Sequence, residues 1–113
     1  MSHLLLKQQH CQPDIKPELL TEKQRNQFME ELTGWSYAEA KKEIFRHFNF
    51  NDYYQTMAFI NAVAWIAHSE NHHPDISFTY NSCDIHFTTH SADGVTQFDF
   101  ICAAHINQLY QTD

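Results

Sequence analysis

Two adjacent imidazoles before a proline, His72-His73-Pro74, and a further one, His90, at the far end of an alternating run are the residues best suited to chemistry in this chain. Imidazole is the side chain that both gives and accepts a proton near neutrality. Nothing beside them reads as an activated nucleophile: there is no Ser-His-Asp ordering, and Gly34 and Gly94, the only glycines, cannot build a phosphate loop. Proton transfer is therefore the indicated chemistry, with His72, His73 and His90 as catalytic candidates. Two carboxylates could assist them. Glu70 can orient an imidazole, although it also reads as a solvated helix residue. Asp99 stands three residues after Thr96, a capping spacing that explains it without any catalysis. His68 and His72 form an HxxxH pair, which is zinc-ligand spacing on a helix, but the intervening Ser69-Glu70-Asn71 lacks the general base of HExxH. His86 shares a strand face with His90, yet four residues of strand separate them by roughly 13 Å.

Charge narrows the substrate. All seven Lys and Arg residues lie at or before Arg46, and from His47 onward there are acids but no permanent cation. That distribution argues against nucleic acid as a partner and against a phosphate-bearing substrate, and favours a neutral, polar small molecule, unless folding or oligomerisation brings Lys41, Lys42 or Arg46 to the same place. The 113 residues, 42% hydrophobic with nine Phe, suit a single folded domain with one core. No apolar stretch approaches the ~20 residues of a membrane helix, and Leu4-Leu5-Leu6 is too short for a secretory signal. Cys11, Cys83 and Cys102 show no CxxC spacing, so a reduced, cytoplasmic protein is expected.

The elements that must position the histidines follow from periodicity. Residues 1–20 contain Pro13 and Pro17 and show no period, which predicts a flexible N-terminal arm ahead of one domain spanning 21–113. Thr21-Glu22-Lys23-Gln24 is a capping box, predicting a helix to about Leu32, ended by Gly34. Trp35 to Ala38 and Glu43 to Phe50 read as strands. Asn51 reads as the N-cap of the longest helix, in which Tyr54, Met57, Ala58, Asn61, Ala64, Trp65 and His68 recur at helical spacing. That helix must end before Pro74, which places the double histidine at a helix-to-strand junction. Alternation over Ile76–Tyr80 and Cys83–His90, around a turn at Asn81-Ser82, predicts a β-hairpin. A last helix starts at Thr96. The order α-β-β-α-β-β-α predicts an α+β fold in which a four-stranded antiparallel sheet carries helices on one face.

Taken together, His68, His72-His73-Pro74, Tyr80, His90 and Asp99 resemble the signature of the pterin-4a-carbinolamine dehydratases in both residue type and spacing. Gly34-Trp35, Ile44-Phe45, Phe48-Asn49-Phe50 and the Asp52–Ala64 helix extend the likeness over roughly residues 21–109. The resemblance implies removal of water from 4a-hydroxytetrahydropterin to give quinonoid dihydropterin. That step recycles tetrahydrobiopterin for aromatic amino-acid hydroxylases, with no cofactor and no metal, in a homodimer or homotetramer. By position His72 and His90 match histidines linked in the family to acid catalysis at the 4a-hydroxyl, and His73 one linked to pterin binding. Asp99 matches the family's acid in the last helix; with His73 it is expected to bind substrate, and Glu70 is added to that set from its own place beside the double histidine. One departure stands out: Asp75-Ile76-Ser77 occupies the place where many members carry an aromatic residue. The resemblance also carries a second reading, a non-catalytic oligomerisation module, because one member is a dimerisation cofactor of a homeodomain transcription factor. A zinc site built on His68, His72 and a third ligand is the remaining competitor.

Overall fold

Four short amphipathic strands form one antiparallel sheet in a computed structural model that describes residues 4–110. In chain order the elements are α1 (Glu22–Met29), β1 (Ser36–Ala38), β2 (Glu43–Asn49), α2 (Tyr53–Glu70), β3 (Asp75–Thr79), β4 (Ser82–Phe87) and α3 (Gln97–Leu109). The strand order is β1-β2-β4-β3. The two central strands pair from Ile44 opposite Phe87 to Asn49 opposite Ser82. One face of this pair carries Ile44, Phe48, Cys83, Ile85 and Phe87, all buried against α2 and α3. The other carries Phe45, His47, Asp84 and His86 in partly exposed positions, so the helices cover one face only, as the alternation requires. Fully buried Phe48, Phe87 and Phe100 anchor the core, each contributing about 1.5–3 kcal/mol.

The departures from expectation are local. The first helix ends at Met29 rather than near Leu32, although its capping box forms as written, with Thr21 N donating to Gln24 Oε1 at 3.0 Å and Gln24 N to Thr21 Oγ1 at 3.2 Å. Asp52, not Asn51, caps α2, its carboxylate accepting from Gln55 N at 2.8 Å. A charged acceptor at the positive end of the helix outcompetes the amide. The hairpin turn is Tyr80-Asn81, and Ser82 already belongs to β4. The helical stripe through Tyr54, Asn61, Trp65 and His68 faces outward; the buried side of α2 is Thr56, Phe59, Val63 and Ala67. Both stripes have helical period, and aromatic content alone does not tell which one meets the sheet.

The N-terminal segment is fastened rather than loose over the residues described. Leu6, in a 3-10 turn (Leu6–Gln8), is fully buried in the core, and its N–H donates to Glu31 Oε1 at 2.9 Å. Cys11 N donates to Glu70 Oε1 at 2.6 Å, and Leu20 N to Val95 O at 3.1 Å. A single buried leucine and a few polar anchors leave no periodic trace, which is why the sequence reads as an arm.

Candidate active site

The junction after α2 is built by backbone geometry. Asn71 adopts the left-handed conformation (φ 51°) that ends many helices, and His72 N bonds back to Ala67 O at 3.1 Å. This turn delivers the His72 ring into the protein, stacked on Phe87 (centroids 5.8 Å apart, planes 6° apart) with Phe98 edge-on at 6.1 Å. His72 Nε2 donates to Asp99 Oδ1 at 2.5 Å, and Asp99 is completely buried. Asp99 Oδ2 accepts two more hydrogen bonds, from Thr96 N at 2.9 Å and from Thr89 Oγ1 at 2.8 Å. Thr89 and Thr96 also share a hydroxyl–hydroxyl bond of 2.8 Å. Asp99 therefore caps α3 and orients His72 at once; the capping reading and the functional reading describe the same carboxylate.

This array fixes the tautomer of His72. With Nε2–H given to a buried carboxylate, Nδ1 is the nitrogen that carries the lone pair, the same logic by which an aspartate orients a histidine elsewhere. The His72 side chain keeps 13% of its surface exposed, so it borders solvent without being immersed in it.

His90 does not end a strand. β4 stops at Phe87, Thr89 turns inward to Asp99, and Thr89 N bonds to Gly94 O at 2.9 Å, so His90 starts a 3-10 turn (His90–Ala92) at the tip of a tight loop. Leu19 passes so close to Gly94 that a Cβ there would lie 2.4 Å from its Cδ1. The exposed His90 lines a cleft of about 170 Å³ with Asp75, Thr88 and Glu43 and also with Lys41, Lys42 and Asp93, so folding brings two lysines to a histidine-rich half that carries no permanent cation of its own. Asp75 follows His73-Pro74 directly, and exposed His73 thus stands beside the strand that walls this cleft. Thr89 connects the two halves, one residue from His90 and hydrogen-bonded to the carboxylate that holds His72.

Glu70 is elsewhere. Its carboxylate accepts from Cys11 N and from His10 Nδ1, the latter at 2.7 Å, and makes no hydrogen bond to His72 or His73. The substrate-binding role expected for Glu70 thus has no geometric counterpart: helical twist aims it at the N-terminal segment. His68 is exposed beside Trp65 (centroids 6.0 Å apart), and among the described residues no cluster of three metal-ligating side chains includes His68 or His72. His86 is engaged by Glu43 Oε1 at 2.7 Å and stacked on Phe45. Burial pushes the Cys83 thiol up to about 11, and the hydrogen bond with Cys11, then burial, pushes Cys102 upward too, so neither supplies a thiolate.

Two contributors went unnoticed in the sequence, Thr89 and Asp75. Thr89 continues the buried alternation Cys83, Ile85, Phe87, and a polar residue on an apolar face needs a buried partner; that signal was available.

The pattern described as Pterin 4 alpha carbinolamine dehydratase matches residues 18–109. The chain belongs to this family. Among curated relatives, a protein of Nitrosospira multiformis is 48% identical over 101 residues, 89% of this chain and 86% of the relative. One of Legionella pneumophila strain Lens is 45% identical over 106 residues, 92% and 94% of the two chains. Both bear the provisional name pterin-4-alpha-carbinolamine dehydratase, a hydro-lyase. A crystal structure described as a transcriptional coactivator/pterin dehydratase from Brucella melitensis superposes with a TM-score of 0.78 at 33% identity, covering 81% of this chain and 98% of that one. A pterin dehydratase-like protein described as a RuBisCO assembly factor in the alpha-carboxysome shares the fold, with a TM-score of 0.60 at 24% identity over 70% of this chain and 92% of that one.

Proposed function

We propose that this chain is a pterin-4a-carbinolamine dehydratase that uses His72 and His90 for proton transfer and His73 to place the pterin. Dehydration breaks the C4a–O bond as a proton reaches the departing hydroxyl, and forms the C4a=N5 bond as the N5 proton leaves. One protonated and one neutral imidazole suffice; they exchange states in each turnover and re-equilibrate with solvent. Each transfer contributes typically ~10²–10⁴-fold. The observation that carries this reading is the chain from His72 Nε2 through buried Asp99 to Thr89, the neighbour of His90. It gives one imidazole a fixed tautomer and ties its carboxylate to the loop that presents the other. Within this reading the product is quinonoid dihydropterin, returned to tetrahydrobiopterin for an aromatic amino-acid hydroxylase, and the protein works as a cytoplasmic homo-oligomer.

The test is the dehydration rate of freshly generated 4a-hydroxytetrahydropterin, with chelator present, for wild type and for His72→Ala, His73→Ala and His90→Ala. The expected result is acceleration that resists chelator and collapses in the His72 and His90 variants, with His73→Ala acting chiefly on KM. Folded wild type that does not exceed the spontaneous rate would sink the proposal. A second reading, a fold retained for assembly with partners, draws on the exposed aromatic stripe of α2, where Tyr54 and Trp65 are 82% and 68% exposed.

A further inference from the structure

A second histidine–carboxylate cluster lies away from the His72–Asp99 pair. His10, Glu70 and His105 come from the N-terminal segment, the end of α2 and the middle of α3, and their ligand-type atoms all lie within 4.8 Å of one another. The two imidazole rings stack with centroids 5.2 Å apart and planes at 26°. Glu70 is 8% exposed at its side chain, while His10 is 68% exposed and able to turn. His105 Nε2 donates to Gln9 O at 2.7 Å, and Cys11 N donates to Glu70 Oε1, so two of the three side chains are already held by backbone groups of the N-terminal segment. Such outer contacts to backbone are what orient the ligands of metal sites.

We propose that His10, Glu70 and His105 bind a divalent zinc ion that clamps the N-terminal segment to α2 and α3. Two imidazoles and one carboxylate form a borderline nitrogen–oxygen donor set, which suits Zn²⁺ and not the all-oxygen preference of Ca²⁺ or Mg²⁺. Ligand bonds of about 2.0–2.1 Å in a tetrahedron set donor–donor separations of about 3.4 Å. The present separations, within 4.8 Å, exceed that value by at most about 1.4 Å, a small adjustment for side chains of which His10 is largely exposed. The direct His10–Glu70 hydrogen bond, 2.7 Å, opens as the ion enters. Water fills the remaining coordination position. Cys11 is not counted, because its Sγ faces Cys102 Sγ at 3.9 Å and Phe98 O at 3.8 Å.

The clamp is independent of the dehydratase reading, and its test needs no pterin. Tag-free, chelator-stripped protein is titrated with ZnCl₂ by calorimetry, and its melting temperature is read with and without Zn²⁺. One equivalent should bind, and Zn²⁺ at about 100 times Kd should raise the melting temperature by roughly 10 °C. His10→Ala, Glu70→Gln and His105→Ala should each weaken binding on the order of 100-fold, while His68→Ala leaves it unchanged. If a Glu70 or His105 variant fails to fold, His10→Ala decides, since that side chain is largely exposed. Binding weaker than about 1 mM, or equal in wild type and His10→Ala, overturns the proposal.

Discussion

Two carboxylates reach opposite sides of the junction that ends α2, and the contrast between them is instructive. Asp99 is wholly buried and accepts three hydrogen bonds, all from groups locked in the core: one imidazole, one hydroxyl and one backbone N–H. Glu70, two residues before His72, is nearly buried but accepts from groups nearer the surface, an exposed imidazole and the backbone of the N-terminal segment. The first arrangement has no slack, so it can hold one ring in one tautomer, as proton transfer demands. The second can be rearranged at small cost, as capture of an ion or fastening of a segment demands. Residues only two apart in the sequence thus meet different surroundings because the turn at Asn71 sends His72 inward while Glu70 stays on the helix.

The sharpest way to break this contrast is to disturb Asp99. Asp99→Asn keeps the shape but leaves an amide that cannot accept from both His72 and the cap, and dehydration should fall by about 10²–10⁴-fold, comparable to His72→Ala. Asp99→Ala also leaves Thr96 N–H, the Thr89 hydroxyl and His72 Nε2–H without their acceptor, costing on the order of 3 kcal/mol by urea unfolding. An Asp99→Asn enzyme with full activity would reduce the residue to a helix cap.

Glu70→Gln should behave differently: stability falls by about 1–2 kcal/mol while turnover holds to within a few-fold. Burial alone raises the Glu70 carboxyl, but hydrogen bonds from His10 and Cys11 N, with both imidazoles nearby, hold it below its ordinary 4.5. A depressed folded value means that the stabilisation is complete above pH 4.5 and is lost as pH falls through the lowered range. Urea unfolding across pH 3–6 should show this acid limb in wild type and not in Glu70→Gln. Turnover that collapses in Glu70→Gln would merge the two sites into one.

Asn71 makes the contrast possible, and its substitution tests the turn itself. Its φ of 51° is tolerated by Asn and free for Gly, but a strain for Ala. Asn71→Ala should cost about 1 kcal/mol, and Asn71→Gly little or nothing. If Asn71→Ala matches wild type in thermal unfolding, the left-handed turn is not what aims His72.

Much of this was legible beforehand. The hairpin, the helix stop before Pro74 and the α+β order follow from period and proline chemistry, which act locally. His72, His73 and His90 were legible as proton-transfer candidates from residue type, and the family match supports the activity class rather than each role. What local reasoning missed depends on partners far along the chain. Glu70 as an anchor of Cys11 is a contact across 59 residues, and Leu6 is buried by elements that follow it. Helical spacing left the buried face of α2 open, since two stripes share the period; packing against the sheet selects Thr56, Phe59, Val63 and Ala67 and leaves Trp65 and Tyr54, the larger aromatics, outside.

A third pair on the open face of the sheet supplies the baseline. His47 Nδ1 meets Asp84 Oδ1 at 2.8 Å across β2 and β4, with the side chains 51% and 40% exposed. The hydrogen bond to Asp84 raises the His47 value above its usual 6.5, against a smaller lowering from burial. A raised folded value means stabilisation that is complete below 6.5 and lost as pH climbs through the folded value. Because both groups meet solvent, that contribution should stay under about 0.5 kcal/mol. Asp84→Asn should move the His47 titration, followed by NMR, down toward 6.5 without touching turnover. It is the solvent-screened version of the geometry that burial makes rigid at Asp99. A variant that impairs dehydration would instead draw the open sheet face into the site, and burial would no longer be what separates a working imidazole–carboxylate pair from an idle one.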